Sequence, residues 1–315
     1  MKLPKQLFLL TIMCVTPSVT DGGHLDAQEL ERQLNKLPVP LFKADVMETT
    51  PVLWKGREIL FCSMRPAVAK HEPEQLRLSL YDPAGKQEIA SFGVGHSLGC
   101  AFVEGDTIHV YAAVQPSANS WFTDINHFFS TDLKEWKMEP CLRAERENLL
   151  NSSVCRDKNG YLMVYESNSP VAFCCKFARS QDLSRWEKIP DIVFAGKDGK
   201  TYSACPVIRY FDPYYYVIYL RVDGNNYVAD MIRSTDLNTW EFSPQNPFLR
   251  PGDGEGINTS DVDLFEVDGK TRIFYAVGNQ SDWCHLREAV FPGPMRELFE
   301  SCYPSDKPGE TFRIK

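Results

Sequence analysis

The stretch Ser130-Thr-Asp-Leu-Lys-Glu-Trp136 returns as Ser180-Gln-Asp-Leu-Ser-Arg-Trp186 and again as Ser234-Thr-Asp-Leu-Asn-Thr-Trp240. The three serines lie 50 and 54 residues apart. An S-x-D-L-x-x-W element recurring at that period restricts the chain to architectures built from one supersecondary unit per repeat. A second repeat runs ahead of it. The segments ETTPVLWKGREILFCSMR, HSLGCAFVEGDTIHVYAAVQ, NSSVCRDKNGYLMVYES, SACPVIRYFDPYYYVIYLR and SDVDLFEVDGKTRIFYAVGNQ each read as apolar strand, tight turn, apolar strand. Their turns, WKGR, VEGD, DKNG, YFDP and VDGK, carry residues suited to short hairpins. Thr50, Gly99, Ser153, Cys205 and Asp263 are taken as equivalent points.

Each repeat is thus an inner hairpin followed by an outer pair of strands. In three of the five, S-x-D-L-x-x-W falls at the turn between the outer strands, where Ser and Asp bond turn amides and Leu and Trp pack between repeats. The last repeat continues instead into EAVFPGPMRELFE. Five such units around an axis make an all-β, five-bladed β-propeller whose inner strands line a central channel.

The N-terminus stands apart from the repeats. Residues 1–20 have Lys2 and Lys5, a short apolar core from Leu7 to Val15 and small residues before Asp21. That pattern reads as a secretory signal, too short for a membrane span. Residues 21–44 form an arm with a short helix expected over 26–36, stopped by Pro38 and Pro40. The propeller occupies 45–315. The net charge of −8 offers no basic face for nucleic acid. Of ten cysteines, Cys14 falls in the signal, and the remaining nine show no C-x-x-C spacing. They read as small core residues, with no metal site and no cofactor expected. The expected location is secreted or periplasmic.

Blade geometry selects the candidate site. The start of each inner strand and the end of the second strand lie at the same end of a hairpin, and side chains two apart share a face. The first set is Glu48 and Thr50, His96, Asn151 and Ser153, Tyr202 and Ser203, Asp261 and Asp263; the second is Arg65, Gln115, Glu166, Arg221, Asn279 and Gln280. Such a ring is rich in carboxylates, amides and arginines. Paired carboxyl groups suit hydrolysis, one protonating a leaving oxygen and one activating water or attacking the reacting carbon. Asp263, Asp261, Glu166 and Glu48 supply them. Asp261 and Asp263, at i and i+2, are expected to face the channel together, so that like charge raises one pKa. Solvated strand ends that bond turn amides are the alternative reading of these acids. Arg65 and Arg221 either clamp an anionic group or pair with the nearby acids. His96 and Trp121 complete the set, Trp121 as a sugar-stacking ring or as packing under its loop. NSS at Asn151, NTS at Asn258 and NQS at Asn279 match the glycosylation pattern but fall at the channel mouth, and are read as chance matches.

The S-x-D-L-x-x-W element following such hairpins resembles the five-bladed propeller glycoside hydrolases, the group containing families 43, 32, 117 and 130, over roughly residues 45–300. The resemblance implies a propeller acting on carbohydrate. Three positions depart from the family 43 pattern. Thr50 stands where its D-P element places a base, Asn151 where its D-P-S-V element places an Asp, and Ala204 where its E-G-P element places the acid. The expected activity is exo-acting hydrolysis of a plant or algal oligosaccharide, with base work by Asp263 or Asp261 and acid work by Glu166 or Glu48. A non-catalytic glycan-binding propeller and a glycoside phosphorylase are the alternatives.

Overall fold

A computed structural model describes residues 33–37, 46–64, 72–84, 86–279 and 283–314. The signal, most of the expected helix, Arg65 and Gln280 lie outside these residues. Within them the chain forms five antiparallel sheets arranged as blades. Blade I holds β2 (Val46–Trp54), β3 (Arg57–Met64), β4 (Arg77–Asp82) and β5 (Gln87–Phe92). Blade II holds β6 (His96–Glu104), β7 (Thr107–Val114), β8 (Ile125–Ser130) and β9 (Lys137–Leu142). Blade III holds β10 (Leu149–Asp157), β11 (Gly160–Ser167), β12 (Cys174–Ser180) and β13 (Glu187–Phe194). Blade IV holds β14 (Ala204–Phe211), β15 (Tyr214–Asp223), β16 (Asn226–Ser234) and β17 (Thr239–Phe242), and gains β21 (Thr311–Arg313) on its outer edge. Blade V has only three strands of its own, β18 (Ser260–Val267), β19 (Lys270–Gly278) and β20 (Cys284–Phe291).

The fourth strand of blade V comes from the other end of the chain. Residues 35–36 form β1 and pair antiparallel with β20, Asn35 opposite Val290. The end of the expected helix is therefore strand. Leu34 packs into the core between blades IV and V, and Lys36 bonds Glu255 at 3.1 Å. Residues from the two chain ends so complete one sheet, which closes the ring and leaves fewer open strand edges. Helix α1 (Met295–Ser301) follows β20 and buries Leu298 and Phe299 against Tyr216.

The repeated heptapeptide is the turn between the third and fourth strands. Ser130 Oγ accepts the Leu133 amide at 2.9 Å, and Asp132 Oδ1 accepts those of Lys134 and Glu135. The same bonds recur from Ser180 and Asp182 and from Ser234 and Asp236. Leu133, Leu183 and Leu237 all take positive φ, 64°, 66° and 65°. An L-residue there is strained, and the fixed Ser and Asp bonds hold it. Each Trp then bonds the Leu carbonyl and packs across a blade boundary. Trp136 stacks on Phe92 of blade I, Trp186 meets Tyr111 of blade II edge-on, and Trp240 stacks on Phe177 of blade III. Blade II carries a further device there. His109 Nδ1 lies 2.9 Å from His127 Nε2, and His127 Nδ1 lies 3.0 Å from Glu139. Burial first, then His127, pulls the His109 imidazole down to about 4; burial also lowers His127, against the pull of Glu139.

Two expectations follow. Trp240 is fully buried, so Trp240→Ala should destabilise the protein by about 3–5 kcal/mol in denaturant unfolding, and Trp136→Ala, half-buried, by less. The lowered histidines make the native state bind fewer protons than the unfolded chain. Their contribution is complete above the unfolded value of about 6.5 and is lost as pH falls toward 4. The thermal midpoint should drop across that window, and His109→Gln should flatten the drop.

Candidate functional site

Every inner strand begins with a β-bulge. Register breaks fall between Met47 and Thr50, Ser97 and Cys100, Leu150 and Ser152, Ala204 and Val207, and Ser260 and Asp263. A bulge sets two residues against one, bends the strand and re-aims a side chain. Four of the five carry a non-glycine residue at positive φ: Glu48 at 44°, Leu98 at 55°, Cys205 at 45° and Asp261 at 52°. Such strain persists where the surrounding structure over-determines it, often at functional sites. The bulges also correct the equivalence read from sequence. Counted from the hairpin turns, the points in register are Thr50, Cys100, Ser153, Val207 and Asp263, so Thr50, Ser153 and Asp263 hold and Gly99 and Cys205 are one and two residues off.

The bulges surround a cavity of about 20 Å³ on the channel axis, lined by Glu48, Thr50, Asn151, Cys205, Asp261 and Asp263 among others. That is room for about one water. Glu166, at the end of β11, reaches the same place. Its Oε2 accepts Asn151 Nδ2 at 2.8 Å and the Cys205 amide at 2.7 Å. Asp261 Oδ2 accepts Ser260 Oγ at 2.5 Å, and Ser260 is held by Asn258. The Cys205 thiol lies among these groups, 3.4 Å from Asn151 Nδ2. Burial first, then Asp261, Glu166 and Glu48, pushes it well up, so it stays a thiol. Ala204, assigned the family acid position from sequence, is fully buried; Cys205, Pro206 and Val207 line the cavity from this strand.

Asp261 and Asp263 both line the cavity, as their spacing suggests, but they have different partners. Asp263 forms an ion pair with Arg209 Nη2 and accepts the Leu264 amide at 2.7 Å. Its carboxyl is raised by burial and held down by Arg209. Burial, rather than the expected like charge from Asp261, is the main cause.

An aromatic row runs along the rim. Trp121, 57% exposed, stacks on Phe173 at 6.4 Å; Phe173 meets Tyr202 edge-on at 5.6 Å; Tyr202 meets Tyr227 at 6.2 Å. Burial and then Cys205, Glu166, Tyr227 and Asp261 raise the Tyr202 hydroxyl, which ties the row to the carboxylate ring.

The other expected residues are placed elsewhere or engaged otherwise. His96 is buried, with Nε2 2.9 Å from Asn126 Nδ2 and Nδ1 3.1 Å from the Val94 carbonyl; burial lowers it. Arg221 pairs with Asp230 at 2.5 Å and Asp223 at 3.3 Å, one of the two readings given to it. Asn279 bonds Trp283 beside blade V, its Oδ1 accepting the Trp283 amide at 3.4 Å. Asn151 is bonded inside the ring and Asn258 is buried, in keeping with chance matches to the glycosylation pattern. Cys205, Arg209, Phe173 and Tyr227 were missed. The signal for Cys205 was the adjacent Pro206, a residue that sheets tolerate at bulges. Among the described residues no group of three or more His, Cys, Asp or Glu is arranged to hold a metal.

No family model matches the chain. No curated protein matches it either. Solved structures do. A glycoside hydrolase superposes with a TM-score of 0.64 at 12% identity, over 85% of this chain and 95% of its own. A thermostable family-43 glycoside hydrolase gives 0.60 at 12% identity, over 81% and 91%. The α-L-arabinofuranosidase of Podospora anserina, solved in complex with cellotriose, gives 0.57 at 12% identity, over 82% and 96%. The chain has the fold of the five-bladed propeller glycoside hydrolases. At such identities the likeness fixes the fold alone.

The two aspartates should separate in a stability measurement. Asp263→Ala leaves Arg209 facing a buried gap and should cost about 3–5 kcal/mol in denaturant unfolding. Asp261→Asn keeps the shape and one acceptor for Ser260 and should cost less than about 1 kcal/mol.

Proposed function

We propose that the protein is a secreted glycoside hydrolase that cleaves a sugar from the end of a plant or algal oligosaccharide at the channel mouth. The observation that carries this reading is the convergence of Glu48, Asp261 and Glu166 from blades I, V and III on one cavity beside a row of aromatic rings. The fold's neighbours include hydrolases of arabinose-containing glycosides and a cellotriose complex, which supports a carbohydrate at this mouth. The cavity is too small for a sugar ring, so the sugar sits above it and only its reacting carbon approaches the carboxylates.

Partners assign the roles. Asp263 is committed to Arg209 beneath the cavity, which leaves Asp261 as the base. Glu166 Oε2, held by two N–H donors, is a fixed negative charge facing the developing oxocarbenium ion, and Glu48, set by the strained bulge of blade I into the same cavity, is the acid. Asp261 takes a proton from water as its oxygen bonds to the anomeric carbon. The glycosidic C–O bond breaks, and the leaving oxygen takes the proton of Glu48. Trp121, Phe173 and Tyr202 hold the sugar faces.

One observation favours a second reading, a propeller that binds glycans without cutting them. The Cys205 thiol and Asn151 fill the ring where further acids would stand.

A panel of aryl glycosides and plant and algal oligosaccharides tests both. Sugar release is expected from the parent. Glu48→Gln and Asp261→Asn should each lower kcat/KM by at least about 10²-fold, with thermal midpoints close to the parent's. Trp121→Ala should raise KM by about tenfold and spare kcat. Undiminished release by both carboxyl variants overturns the assignment. Silence across the panel, with tight binding of one glycan, establishes the binding propeller.

A further inference from the structure

The channel has a second, larger cavity at its opposite end. It measures about 360 Å³ and is bounded by the far halves of all five inner strands. Its wall is apolar: Leu53, Phe102, Val103, Val154, Phe211 and Phe265 among others. Its volume and its mostly apolar lining are those of a small-molecule site. The Arg209–Asp263 pair stands between the two cavities, Asp263 lining the upper one and Arg209 the lower.

Arg209 is what makes this more than a void. Its Nη1 donates to the Ile208 carbonyl at 2.8 Å, and its Nη2 donates to Asp263 and to the Leu264 carbonyl at 2.8 Å. A guanidinium has five N–H groups. The Nε–H and the second Nη1–H have no partner among the described residues, on a half-buried side chain facing an apolar chamber. These donors face the chamber, where an acceptor on a bound molecule would take the place of water, and a hydrogen bond made against apolar walls is stronger than one in bulk solvent. The charges settle the acceptor's class. Asp263 already neutralises Arg209, Glu104 pairs with Arg156 at the rim, and Glu266 adds a negative charge, its Oε2 accepting the Met295 amide. An additional carboxylate would meet Asp263 and Glu266 with no unmatched cation to offset its desolvation.

We infer that this lower chamber binds a small uncharged aromatic molecule bearing one carbonyl oxygen, the ring against Phe102, Phe211 and Phe265 and the oxygen on Arg209. The site is independent of the reaction proposed at the other mouth.

Acetophenone is the probe, titrated calorimetrically into the full chain, with ethylbenzene as the same shape without an acceptor and benzoate as the charged counterpart. One-to-one binding of acetophenone is expected with Kd below about 1 mM. It should be about tenfold tighter than ethylbenzene, the worth of one good hydrogen bond, and no weaker than benzoate. Leu53→Trp places an indole across the chamber from a residue that is 48% exposed, so the fold should tolerate it, and it should abolish binding. Arg209→Met should erase the preference for acetophenone over ethylbenzene; because it strands Asp263, Leu53→Trp is the test that does not depend on its folding. Absence of saturable acetophenone binding, full binding by Leu53→Trp, or tighter binding of benzoate would overturn the proposal.

Discussion

The contact on which the ring depends is the indole that each S-x-D-L-x-x-W turn lays across a blade boundary. A blade cannot bury both of its faces alone, so its stability is shared with its neighbours. Trp136, Trp186 and Trp240 each pack on a ring of the preceding blade, and the strained Leu before each of them is what aims the indole. Ser and Asp side chains hold that Leu in place by bonding the turn amides. The three boundaries from I to IV are thus joined by one local device. The two boundaries of blade V are joined by other means: IV to V by Leu34 and by Phe299 of α1 against Tyr216, and V to I by Phe265 and Phe274 packed with Leu60 and by the Arg272–Glu58 ion pair.

This division explains which parts of the fold were legible in the sequence. The repeat, the five hairpins and their turns depend on local chemistry: Gly, Asn and Asp at positions of tight curvature, Ser and Asp two apart before a Leu. They can be read from neighbours in the chain. Strand β1 depends on a partner some 250 residues away, and Asn35 and Lys36 have no strand propensity, so composition pointed to helix. The bulges were invisible for a related reason. A bulge is defined by what its strand opposes, and apart from Pro206 in blade IV little in the local composition announces it. Missing them displaced the equivalent points in blades II and IV.

The same reasoning applies to the acids. Period-two alternation correctly brought Asp261 and Asp263 to the same cavity, yet it carried no information about partners. Asp263 meets Arg209, which the sequence offers only as one Arg in an apolar strand, IRYF, of another blade. Its raised carboxyl comes from burial, so a perturbed pKa here marks a structural pair between two cavities rather than an acid at work. Glu166 was found as a strand-end carboxylate and is in the ring, but the two donors that fix it come from blade III and blade IV together. Roles depend on such cross-blade bonds, and those are absent from any single segment.

The position of Arg209 and Asp263 gives the channel two chambers of opposite character. Above the pair, bulges bring acids, an amide and a thiol together in a space for about one water. Below it, the same five strands have returned to regular alternation and present apolar side chains to a chamber many times larger. The bulge contributes to the difference, since one extra residue at the start of a strand changes which side chains reach the axis. A buried ion pair at that junction is hard to remove from one side only, because each partner would leave the other uncompensated. The pair therefore fixes the floor of the carboxylate cavity and the ceiling of the apolar chamber at once, and the geometry of each end is set by a residue that belongs to the other.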